Sequence, residues 1–165
     1  MAISAPAKSA QYTNYTASPQ TFVPSSDWGS KLRASFCKLT FTAAGFTTAA
    51  LGDIALIRMP AGPVRIYPDL CRLVCPAGTA TSDLDIGISA YKGVDGVTVA
   101  LAGIALADSL DVGGGALDQT LPLPAVASML EVNSQAGFDI VCSFDTANSP
   151  AAGDMYVTVV YMVGN

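Results

Sequence analysis

The sequence has no histidine and a single glutamate, Glu131, and only 13% of its 165 residues are charged. Lack of histidine removes the commonest general base, the commonest metal ligand and the usual activator of a serine or cysteine nucleophile. With one glutamate, paired-carboxylate hydrolysis would need two aspartates, or one aspartate acting with Glu131. No run of 18 apolar residues exists, so no membrane-spanning helix is expected. Residues 1–10 lack the apolar core of a signal peptide. Bases are few as well, eight against thirteen acids, for a net charge of −5. Phosphate backbones are gripped by clustered Lys and Arg, so nucleic acid is a poor partner.

Apolar residues make up 51% of the chain. A chain of this length suits one domain that buries ~70% of its unfolded surface. So little charge on so apolar a chain favours association, which points to an oligomer or to a protein docked on a larger body. The bases are uneven: Lys31, Arg33, Lys38, Arg58, Arg65 and Arg72 crowd the first half, and only Lys92 follows. This is either chance in a small sample or a basic docking face for an acidic protein surface. Without an export signal, Cys37, Cys71, Cys75 and Cys142 are expected as buried free thiols rather than a disulfide framework.

Residues 1–30 differ from the rest. They are rich in Ala, Ser, Thr, Gln and Pro, and Tyr12, Tyr15, Phe22 and Trp28 are spaced through them without helical or strand periodicity. The reading is an extended arm that becomes ordered on a neighbour, with the four aromatics as its contacts. Stretched out, thirty residues reach ~100 Å, farther than one domain is wide.

From residue 35 the pattern becomes one of strands. Residues 35–42, 52–59, 64–67 with 70–75, 84–91, 127–132, 138–145 and 155–163 each read as a strand. The third is bent at Pro68, because proline cannot donate to a ladder. Residues 101–112 suggest a short helix or turn ended by Gly113, Gly114 and Gly115. Seven or eight short strands, without long amphipathic helices, predict an all-β, antiparallel β-sandwich or barrel over residues 31–165.

Searching for chemistry yields little. Asp83 and Asp85 share one strand face and could offer oxygens to Ca²⁺, but a lone pair is far short of the six to eight that the ion takes. Bonding to backbone amides accounts for them better, and Asp108 and Asp111 read as loop and capping residues. Ser89 lies in a Gly-Ile-Ser-Ala-Tyr segment with no histidine to activate it and no closing glycine. Cys71 and Cys75 are ~13 Å apart on a straight strand, too far to bridge. No catalytic residue, cofactor site or metal site is expected, and the chain is read as working by contact.

One stretch resembles the head decoration, or cement, proteins of tailed bacteriophages. The resemblance is carried by Asp53-Ile-Ala-Leu-Ile-Arg-Met59, the turn Pro60-Ala-Gly62, Val64-Arg-Ile-Tyr67, Asp83-Leu-Asp-Ile-Gly-Ile88, and Leu-Ala-Asp-Ser-Leu-Asp-Val at residues 106–112. With the closing strand at 155–163 it covers about two-thirds of the chain. The resemblance implies a jelly-roll sandwich and a homo-oligomer, commonly a trimer. It also implies a place on the outer surface of the virion, across junctions of the major capsid protein, after synthesis in the bacterial cytoplasm. Residues 1–30 find no counterpart in that pattern. Arg58, Arg65 and Arg72 join the four aromatics as expected capsid or subunit contacts. A head-fibre, tail or baseplate domain that binds a receptor or carbohydrate is the alternative.

Overall fold

The computed structural model describes residues 32–41, 54–78, 82–121, 129–144, 150 and 152–164. The expected arm at residues 1–30 lies outside them. The described residues hold twelve strands and one short 3-10 turn. They are β1 (Arg33–Phe41), β2 (Ile54–Met59), β3 (Gly62–Ile66), β4 (Arg72–Cys75), β5 (Asp83–Ile88), β6 (Tyr91–Lys92), β7 (Thr98–Val99), β8 (Ala102–Asp111), β9 (Leu117–Thr120), β10 (Leu130–Ser134), β11 (Phe138–Phe144) and β12 (Gly153–Val163).

All pairings are antiparallel. The first sheet is built on β12, which pairs with β1 along its whole length from Arg33 opposite Tyr161 to Phe41 opposite Gly153. Its other edge is shared by β3, with Ile66 opposite Tyr161, and β4, with Val74 opposite Tyr156. Beyond these, β10 pairs with β3 and β9 with β4. The first sheet is therefore four rows deep: β1, β12, β3 with β4, and β9 with β10. The second sheet has the order β2-β11-β5-β8, and β6 and β7 form a separate hairpin.

The expected bend at Pro68 is real and has a specific construction. Pro68–Leu70 form a 3-10 turn with Pro68 buried. There the row leaves the ladder, and Cys71 fills the gap: Val160 N–H donates to its Sγ at 3.2 Å, and the thiol donates to Tyr67 O at 3.2 Å. Tyr67 N–H still reaches Val160 O at 3.0 Å.

Residues 101–112 do not form the expected helix or turn. Ala102–Asp111 of that stretch are β8, paired with β5 through two register shifts. Alanine and leucine favour helix locally, but intrinsic propensity is a weak prior that tertiary pairing overrides. At one shift Ser109 takes a left-handed φ of 50°, and its N–H donates to the Asp85 carboxylate at 2.7 Å. Asp85, buried on β5, thus supplies the acceptor that the bulge removes from the ladder.

Alternation with period two places one side of each sheet in a shared core. Leu73, Val132, Met155, Val157 and Val159 from the first sheet meet Met59, Leu84, Ile86, Leu106, Phe138 and Ile140 from the second. Phe41 of β1 packs edge-on against Phe144 of β11, ring centroids 5.7 Å apart, tying the two sheets together. The expected all-β antiparallel sandwich is thus what forms.

Two substitutions test this packing. Phe138→Ala, at a fully buried ring, should lower unfolding free energy by ~3–5 kcal/mol, whereas Phe36→Ala, at a ring 63% exposed, should lower it by no more than ~1 kcal/mol. Gly137 has φ +84° and an added Cβ there would overlap Met59 O. Gly137→Ala should therefore cost more than ~2 kcal/mol by denaturant titration.

Candidate functional site

The arginines singled out in the sequence are placed on two faces. Inward residues alternate with outward ones, so Arg65 on β3 and Arg72 on β4 project from the outer face of the first sheet. Arg58 on β2 projects from the outer face of the second. A single basic face made of all three is corrected accordingly. Each also has a carboxylate neighbour. Arg58 stands opposite Asp139 in register, binds it at 3.1 Å and donates to Ala136 O at 2.7 Å. Arg65 stands opposite Glu131 and approaches it to 3.5 Å. Arg72 grips Asp118 with two bonds, Nε at 2.9 Å and Nη2 at 2.8 Å. The ladder thus sets these early bases beside acids from later in the chain. Tyr12, Tyr15, Phe22 and Trp28 lie outside the described residues.

The outer face of the first sheet carries the most developed side-chain arrangement. Asp154 on β12 accepts from Thr40 Oγ1 at 2.7 Å, from Lys38 Nζ at 2.9 Å and from Tyr156 Oη at 3.2 Å. Lys38 also lies over the Tyr156 ring, 5.8 Å from its centroid. Phe36, diagonal to Tyr156 across the β1–β12 pair, stacks on it with centroids 5.8 Å apart and planes at 24°. Diagonal pairs are within reach of aromatic side chains on neighbouring strands. Sequence reasoning passed over this cluster because its members are 114 or more residues apart in contact pairs such as Thr40 and Asp154. The alternation of Phe36, Lys38 and Thr40 on β1 was the only available signal.

Hydrogen bonds set the electrostatics here. The bond from Thr40, followed by that from Lys38, holds the Asp154 carboxyl below the ordinary aspartate value. The Arg72 bond does the same for Asp118. Reciprocally, Lys38 and Arg72 are held above their ordinary values by their aspartate bonds.

The remaining polar candidates have structural roles. Asp83 stands opposite Asp111 on the β5–β8 ladder, and Asp111 accepts from Gly114 N–H at 2.7 Å in the turn that follows. Ser109 Oγ donates to Asp108 at 3.0 Å. Ser89 Oγ accepts from Asp139 N–H at 2.9 Å, extending the pairing of β5 with β11. Among the described residues, no group of three His, Cys, Asp or Glu side chains is placed to hold a metal ion.

All four cysteines are free, with Cys71, Cys75 and Cys142 buried and Cys37 half-buried. Burial raises every one of these thiols above the ordinary value, Cys75 to about 12. Cys142 is pushed up further by its neighbours Cys75 and Cys37. A thiol in apolar surroundings stays protonated and unreactive.

No family model, no curated protein and no solved structure matches this chain.

Two measurements check these assignments. In a native thiol titration near pH 8, Cys37 should react first and Cys71, Cys75 and Cys142 should resist until denaturant is added. Immediate reaction of all four in the folded protein would contradict the packing. For Asp154, a lowered folded-state pKa means stabilisation that is full above the unfolded value of ~3.9 and lost as pH falls through the lower folded value. Asp154→Asn should therefore flatten the acid side of a stability–pH profile below about pH 4, and leave the profile near neutrality without slope change.

Proposed function

We propose that this chain is a structural protein of the virion that binds the outside of a bacteriophage capsid and stabilises the head by bridging major capsid subunits. The observation that carries this reading is the strand order. Taking β3 with β4 as one row, β9 with β10 as another, and leaving aside the hairpin, the rows number eight in chain order. The first sheet then reads 1-8-3-6 and the second 2-7-4-5. Successive rows cross from sheet to sheet except at the 4–5 pair. This order supports reading the sandwich as the jelly roll that the resemblance to decoration proteins implies, an architecture shared by viral capsid and lectin domains.

The physical properties suit the task. Arg58, Arg65 and Arg72 are each paired with a carboxylate across strands, so they present a weaker field to a partner than free arginines would. Several modest contacts from a rigid homo-oligomer, a trimer in this reading, act through effective concentration and reach high avidity on a repeating lattice. Each contact then needs no more than ~800 Å² per partner.

A receptor- or carbohydrate-binding domain of a head fibre, tail or baseplate is a second reading. It is favoured by one observation, the exposed Phe36–Tyr156 stack bordered by Thr40, Lys38 and Asp154. An aromatic platform with hydrogen-bonding groups at its edge is what a sugar ring would use.

Co-sedimentation with empty heads of the phage that encodes the chain tests the leading reading. The full chain should pellet with heads, and a chain lacking residues 1–28 should stay folded but pellet less. Failure of the full chain to pellet would overturn the capsid reading. Equal binding by the truncated chain would overturn the role of the arm. Saturable chemical-shift changes at Phe36 and Tyr156 on adding soluble glycans would favour the second reading.

A further inference from the structure

Large exposed apolar side chains are concentrated in one short piece of the molecule. Val94, Val97, Val99 and Leu101 are 61%, 60%, 39% and 41% exposed, and all lie on or just after the β6–β7 hairpin. Elsewhere among the described residues the exposed large apolar side chains are Leu32 and Phe36, at the start of β1, and Leu70 in the 3-10 turn.

This hairpin is firmly constructed. Gly93 N–H donates to Val97 O at 2.9 Å and Gly96 N–H to Gly93 O at 2.9 Å, closing a three-residue loop. Gly96 takes the left-handed φ of 78° that such a loop requires at its last position. Asp95 Oδ1 accepts from Val97 N–H at 3.0 Å. The base is fixed to the sandwich through the Gly93–Ser134 bridge, the bond from Gln135 N–H to Lys92 O at 2.8 Å, and the Tyr91 ring against Phe138. The bonds in the loop and at its base hold the hairpin with these valines exposed.

We propose that this hairpin is the contact by which one copy of the chain meets a second copy, hairpin to hairpin about a rotation axis. The inference rests on the reading of the chain as a cluster-forming structural protein and assigns the surface that makes the cluster. Charge selects the second copy as occupant. A chain of net charge −5 repels itself, and copies can approach most closely where acids are fewest. Residues 93–107 contain one charged side chain, Asp95. Lys92, beside it, has no ion pair among the described residues. About a rotation axis, two-fold or three-fold, every copy presents this same hairpin to its neighbour. Lys92 of one copy would then face Asp95 of the other at the rim, with the four aliphatic side chains meeting at the centre. Such a contact is self-complementary in charge and apolar in its middle, the anatomy of a specific interface. A heterologous partner would have to supply both features independently.

The test is the solution mass of the full chain by light scattering or sedimentation over a dilution series. The wild-type chain should associate reversibly. The pair Val94→Asp with Val97→Asp should weaken the dissociation constant by about tenfold or more. The near-isosteric pair Val94→Thr with Val97→Thr should weaken it in the same direction, and decides the matter should the aspartates disturb folding. Phe36→Asp, on the outer face of the first sheet, should leave association unchanged. A wild-type chain that stays monomeric at every concentration would overturn the proposal. So would association untouched by both valine pairs, or association lost equally in Phe36→Asp. Head binding plays no part in this measurement, so its outcome is separable from that of the capsid reading.

Discussion

Strand β12 is hydrogen-bonded on both edges, and the rest of the molecule is arranged around that fact. One edge carries β1 over nine consecutive pairs. The other carries β3 and β4 in turn, separated by the turn at Pro68. Its inward residues Met155, Val157, Val159 and Tyr161 form the floor on which the second sheet rests. Its partners on β1 lie more than a hundred positions earlier in the chain, and those on β3 and β4 more than eighty. The fold is accordingly dominated by contacts between distant parts of the sequence, a topology that slows folding. The interruption at Pro68 is tolerated because Cys71 restores a partner to the Val160 amide. Without that thiol a strand held on both sides would leave a buried donor unsatisfied, which costs about 1–3 kcal/mol.

The antiparallel ladder also decides what the surface looks like. It sets Arg58 against Asp139 and Arg65 against Glu131, and brings Arg72 within reach of Asp118. Exposed ion pairs of this kind add little stability singly. Their larger effect is on recognition, because a paired arginine presents a weaker field to a partner than a free one. Outside contacts then depend on shape and apolar area. Exposed aliphatic area is concentrated on one hairpin, at Val94, Val97 and Val99.

Inside, the chain uses polar and sulfur groups to repair departures from regular pairing. Asp85 supplies an acceptor at the Ser109 bulge, Cys71 bridges the gap beside Val160, and Ser89 extends the ladder at Asp139. Each of these residue types is elsewhere a catalytic or metal-binding group, and each is committed here to backbone amides. Their partners come from other strands, so the same residues read in isolation invite chemistry that their surroundings already occupy.

Alternating apolar residues and turn-forming Pro, Gly and Asp determined by themselves that the chain is all-β, and where most strands lie. Strands at 33–41, 54–59, 138–144 and 153–163 follow directly from that periodicity, and the break at Pro68 follows from proline's missing donor. Period two is a local property of the backbone, so it is visible in the sequence. Strand β8 was hidden because its Ala- and Leu-rich composition favours helix, and only pairing with β5 overrides it. The short β6, β7 and β9 were hidden because two to four residues are too few to show a period. Which arginine meets which acid, which face Phe36 shares with Tyr156, and which valines stand clear of the core were decided by tertiary structure alone. Those relations depend on register between strands far apart in the chain, and register is fixed only when both sheets close over one core.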